Sequence, residues 1–97
     1  MNKIQPSELK ARLAAGEPLC VIDVREPEEV AAGQIAGAKS IPLMEIHTRL
    51  HEIPKEGEVI LVCRSGNRSG KAYDFLESQG FSNLKNMEGG MLAWEQL

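Results

Sequence analysis

Cys63 closes the apolar run VILVC and is followed at once by RSGNRSG, which sets guanidinium groups one and five positions after the thiol. The reactive form of cysteine is the thiolate, and it is favoured where cations and hydrogen-bond donors surround the sulfur. Arg64 and Arg68 supply the charge, and Gly66 the backbone freedom for a tight turn. If a helix begins near Ser69, the segment Arg64, Ser65, Gly66, Asn67, Arg68, Ser69 forms a loop whose amides and helix N-terminus point at whatever Cys63 carries, an arrangement suited to an anion. The expectation is a nucleophilic thiolate whose pKa is lowered by the loop and its two arginines. An inert cysteine at the end of a buried strand is the alternative, and it leaves the two arginines in a glycine-containing turn unexplained. Cys20, inside LCVIDV with no local cation, is the contrast and reads as structural.

A thiol in this role has to be held at the carboxyl end of a strand, where open parallel sheets present their reactive groups. The run EGEVILVC is the clearest strand of the chain, and RSGKAYDFLESQG the clearest helix, with Ala72, Phe75 and Leu76 turned inward and Gly80 at its end. Upstream, SELKARLAAG reads as a short helix opened by Ser7 and stopped by Gly16, LCVIDV as a buried strand, and EPEEVAAG as a short helix with Pro27 in its first turn. AKSIPL is a brief extended piece. LMEIHTRLHEI places Leu43, Ile46, Leu50 and Ile53 at spacings of three and four, which predicts one amphipathic helix stopped by Pro54. LKNMEGG and MLAWEQL repeat the strand-helix pattern. Strands alternating with helices over short connections call for a parallel sheet covered on both faces.

Ninety-seven residues suit one domain spanning 1–97, with 42% hydrophobic and 26% charged residues and no repeat or low-complexity tract. The net charge of −3 and the lack of a basic run disfavour nucleic acid and anionic membranes as partners. The N-terminal stretch lacks an apolar signal core, and no apolar run is long enough to span a bilayer, so the cytoplasm is the expected compartment.

Other residues carry weaker chemical signals. Asp23 and Arg25 end the second strand and are expected to form an internal ion pair or loop anchor. His47 and His51 stand four apart in HTRLH, but without a third ligand they read as a solvated helix face, and no metal is expected. Trp94, with Met91 and Leu92, is expected to pack the last helix on the sheet.

Three stretches in order, VIDVREPEEVAAGQIAGAKSIPL, VCRSGNRS and MEGGMLAWEQ, resemble segments of the single-domain rhodaneses, the thiosulfate-type sulfurtransferases. The likeness covers nearly the whole chain. It implies an α/β fold of three layers, α/β/α, around a central five-stranded parallel sheet of order 1-5-4-2-3. It also implies that Cys63 takes a sulfur atom from a small-molecule donor, carries it as a persulfide, and yields it to a thiophilic acceptor such as cyanide, with no cofactor. A persulfide carrier or interaction module served by a sulfur-relay protein is the second reading. Four residues lie between Cys63 and Arg68, against five in the related cell-cycle phosphatases, and Ser69 stands where their arginine would be. The shorter cradle suits a persulfide better than a phosphate. The two arginines favour an anionic donor such as thiosulfate. Gln34 replaces the histidine usual in the family's Gly-His-Ile segment, which puts that histidine's hydrogen bond in doubt and leaves the nucleophile untouched.

Overall fold

The computed structural model describes all 97 residues. In chain order the elements are β1 (Lys3–Ile4), α1 (Pro6–Ala14), β2 (Cys20–Asp23), α2 (Pro27–Ala31), β3 (Lys39–Ser40), two 3-10 segments (Leu43–Thr48 and Leu50–Glu52), β4 (Val59–Val62), α3 (Asn67–Ser78), β5 (Leu84–Met87) and α4 (Gly90–Trp94). The strands form one all-parallel sheet in the order β1-β5-β4-β2-β3, as the resemblance implied. No helix is long and apolar enough to cross a membrane.

Side-chain alternation along β4 builds the two sides of the core. Val59, Leu61 and Cys63 join Ile22, Val24, Ala72, Tyr73 and Leu76 on the α3 side. Ile60 and Val62 join Leu9, Val21, Met87 and Met91 on the side covered by α1 and α4. All four β4 residues are fully buried, which explains why the strand reads as continuous apolar sequence rather than as alternation. Each such side chain stabilises the fold by roughly 1.5–3 kcal/mol. The register sets Asp23 beside Val62 and Asn86 beside Leu61, so β2, β4 and β5 deliver their following loops to one edge of the sheet.

The structure departs from the sequence-based expectations at three places. The expected helix over LMEIHTRLHEI is instead the two 3-10 segments, with Arg49 between them at φ −125°. Three residues per turn keeps Leu43 with Ile46, and Leu50 with Ile53, on one side. The four-residue step between the pairs is absorbed at Arg49, whose side chain bonds Glu52 at 2.6 and 2.9 Å. Helix α1 begins at Pro6 and takes no side-chain cap, so Ser7 is not its opening residue. Leu92 on α4 is exposed, and Met91 with the half-buried Trp94 does the packing.

Candidate active site

Because Cys63 is the residue after β4, side-chain alternation turns it toward α3, and it is 1% exposed. Helix α3 begins at Asn67, two residues earlier than expected, with Gly66 before it at φ +102°. That left-handed conformation is what glycine permits without strain, and it swings the Gly66 amide back to donate to Cys63 Sγ at 3.0 Å. The Ser69 hydroxyl lies 3.2 Å from the same sulfur, and the amides of Ser65 and Ser69 add to the donor set. Burial pushes the thiol pKa up, but the Ser69 hydroxyl and the three amides outweigh it, so the thiol titrates below an ordinary cysteine.

The loop's peptide planes are held from outside. The amide of Met91 donates to Cys63 O at 2.8 Å and that of Leu92 to Arg64 O at 3.0 Å. Drawing the Arg64 carbonyl toward α4 leaves the amide across that planar peptide, Ser65 N–H, facing the sulfur. The approach is possible because residue 90 has no side chain. A Cβ there would lie 2.5 Å from Cys63 O. On the opposite side, Asn86 Nδ2 donates to Gly66 O at 3.0 Å, and Asn86 Oδ1 lies 2.5 Å from Ser69 Oγ.

The two arginines part company. Arg68 makes a bidentate pair with Glu29 of α2, Nη1 to Oε1 at 2.6 Å and Nη2 to Oε2 at 2.8 Å. This bond holds the Glu29 carboxyl down at about 2, so the pair persists through the neutral range and is lost only as pH falls toward that value. Arg68 still feels the sulfur's charge, but its guanidinium is already engaged. Arg64 is exposed and enters no ion pair. The fall in the thiol pKa therefore arises mainly from Ser69 and the amides, so the loop's expected part holds and the expected part of the two arginines does not appear. The Ser65 and Asn67 side chains are exposed, and of the two residues Ser65 contributes, through its backbone amide.

Asp23 and Arg25 form the expected anchor. Arg25 Nη2 donates to Asp23 Oδ2 and to Gly33 O, both at 2.8 Å, which ties the end of β2 to the end of α2. Cys20 is half-buried, and burial pushes its thiol pKa up. His47, His51 and Gln34 are exposed, and no group of three or more His, Cys, Asp and Glu is placed to hold a metal. Three contributors escaped the sequence reading: Glu29, Asn86 and Gly90. Only Gly90 carried a signal, as half of the paired glycines in MEGGM.

Known proteins resemble this chain in sequence and in fold. The family model described as Rhodanese-like domain matches residues 5–97. A protein named sulfurtransferase from Allochromatium vinosum is 40% identical over 94 residues, covering 97% of this chain and 88% of its own. A putative sulfur carrier protein, YrkF, from Bacillus subtilis is 35% identical over 95% of this chain and 50% of its own. The crystal structure of a rhodanese-like domain protein from Staphylococcus aureus superposes with a TM-score of 0.91 at 40% identity, covering 97% of this chain and 91% of that one.

Proposed function

The chain belongs to the rhodanese-like domain family, and we propose that it moves sulfane sulfur from thiosulfate, or a similar anionic donor, to a thiophilic acceptor through a persulfide on Cys63. Sulfur transfer is the activity class of its family, whose members include sulfurtransferases and sulfur carriers. In the first half-reaction the Cys63 thiolate attacks the outer sulfur of thiosulfate, the Sγ–S bond forms, and sulfite leaves with the electron pair of the broken S–S bond. Cys–S⁻ and a dianion thus become Cys–S–S⁻ and sulfite dianion. In the second, a nucleophile such as cyanide takes the outer sulfur as thiocyanate and restores the thiolate. No cofactor is needed.

The observation that carries this reading is the set of donors closed around Sγ. The amides of Ser65, Gly66 and Ser69 stabilise negative charge on sulfur with dipoles already in place, and the Ser69 hydroxyl turns to join them. Donors that reach Sγ itself leave little room inside the loop for a four-oxygen group, which supports sulfur over phosphate as the cargo.

The test is thiocyanate production by the purified chain from thiosulfate and cyanide, with intact-mass analysis for one added sulfur after thiosulfate alone. Thiocyanate and a loaded Cys63 are the expected results. If thiosulfate leaves no added sulfur while a cysteine desulfurase loads the chain, the carrier reading replaces this one, with a sulfur-relay protein as partner. Arg64, the cation left unpaired, is the group offered to the donor. Arg64→Ala should raise KM for thiosulfate roughly fivefold, as expected for one exposed charge contact, with kcat nearly unchanged. An unaltered KM at low ionic strength would remove Arg64 from donor binding.

A further inference from the structure

Asn86 has no place in the chemistry above, yet it is a buried polar side chain on β5 beside the sulfur cradle. Its orientation follows from its partners. Gly66 O can only accept, so Nδ2 must face it, at 3.0 Å. Oδ1 must then face Ser69 Oγ, at 2.5 Å, and can only accept. Ser69 Oγ has one proton to donate and two acceptors in reach, Asn86 Oδ1 and Cys63 Sγ at 3.2 Å. Both cannot be served at once.

We infer that Asn86 is a positioning residue that competes with the Cys63 thiolate for the single proton of Ser69. With Cys63 protonated the chain is complete: S–H donates to Ser69 Oγ, and Ser69 O–H donates to Asn86 Oδ1. With Cys63 ionised the hydroxyl turns to Sγ, and Asn86 Oδ1 loses its donor in a buried site, which costs free energy. Asn86 therefore weighs against the bare thiolate. Sulfur loading moves the charge from Sγ to the outer sulfur, so the Ser69 proton can return to Asn86. By this route Asn86 favours the resting thiol and the loaded persulfide over the bare thiolate between them. The inference rests on the reading of Cys63 as that nucleophile.

The charged groups around Cys63 are separate from this contest. Arg68 on α3 is paired with Glu29 of α2, Arg64 in the loop is exposed, and Asp23 at the end of β2 is paired with Arg25. Lys85, beside Asn86 on β5, is paired with Glu58, and Glu88, just past the end of the strand, accepts from Gln5. The residues of α4 against the loop, Gly90 and Met91, carry no charge.

The test is a double-mutant cycle read by the pH profile of Cys63 alkylation with iodoacetamide, in a Cys20→Ala background so that one thiol reports. Asn86→Leu removes the competing acceptor but also the donor to Gly66 O, and the cycle subtracts the second effect. Asn86→Leu should move the alkylation midpoint to lower pH by about half a unit or more relative to the shift the same change causes in Ser69→Ala. Equal shifts in the two backgrounds, or a coupling of opposite sign, would overturn the inference. Asn86→Ala replaces Asn86→Leu if circular dichroism shows the leucine variant unfolded. Alkylation needs no sulfur donor, so the cycle stands apart from the thiosulfate assay. A negative assay beside a coupled profile would sink the proposed reaction and leave the proton contest intact.

Discussion

Cys63→Ala is expected to lose thiosulfate-dependent thiocyanate formation by on the order of a thousandfold or more while remaining folded. Removing the nucleophile from a covalent mechanism leaves only residual binding and electrostatic effects. The change deletes one buried sulfur. Ser69 keeps Asn86 as its partner, and the carbonyls of residues 63 and 64 keep their bonds to α4. Thermal unfolding should therefore resemble that of the parent, and intact mass should show no added sulfur after incubation with thiosulfate. Cys63→Ser is the companion variant, since it keeps an acceptor for the Gly66 amide but not a sulfur nucleophile, and it should be equally inactive. Thiocyanate formation at the parent rate by either variant would end the persulfide reading at this residue.

The second large effect is expected at Gly90, outside the loop that carries the thiol. A Cβ at this position would lie 2.5 Å from Cys63 O and 2.5 Å from Arg64 C, with Arg64 O closer still, and the backbone is held at φ +58°. These neighbours are main-chain atoms of the cradle and cannot swing aside as a flexible side chain would. In Gly90→Ala either α4 lifts off the loop, losing the Met91 and Leu92 amide bonds, or the loop moves and its amides lose their aim at Sγ. Steric encroachment and left-handed strain together should cost about 2–4 kcal/mol, roughly a ten-degree fall or more in Tm for a domain of this size. At temperatures where the variant is still folded, sulfur transfer should fall at least tenfold, because a small misplacement of preorganised donors is costly. Gly37→Ala is the control: Gly37 also has a positive φ, +83°, but nothing lies within 4 Å of its added Cβ. It should show the conformational penalty alone and normal activity. A Gly90→Ala variant no worse than Gly37→Ala in both Tm and rate would refute the proposed role of the close approach.

These two positions show different degrees of legibility in the chain. Cys63 was readable because its context is local: a four-residue apolar strand, a glycine-bearing turn and a helix all lie within about one strand-turn-helix unit of sequence. The wrong expectation over LMEIHTRLHEI came from a pattern of spacings that one α-helix and two 3-10 turns satisfy almost equally. Packing against the sheet made the choice there, by burying Ile46 and Ile53. The arginines misled for a related reason. Both stand near Cys63 in sequence, but what a guanidinium does depends on the carboxylate that reaches it, and Glu29 is 39 positions from Arg68.

The sequence by itself determined the element types around the thiol, the strand end on which it stands, and, through family resemblance, the strand order that the structure displays. Those follow from periodicity and turn chemistry, which act over a few residues. What only the tertiary structure decided is how each atom of the cradle is held. Asn86 reaches Ser69 across 17 positions, Met91 reaches Cys63 O across the β5 connection, and Glu29 takes Arg68 from another helix. Hydrogen bonds and ion pairs are short-range and directional, so these partners are set only once β2, β4 and β5 lie side by side and bring their ends to one edge of the sheet.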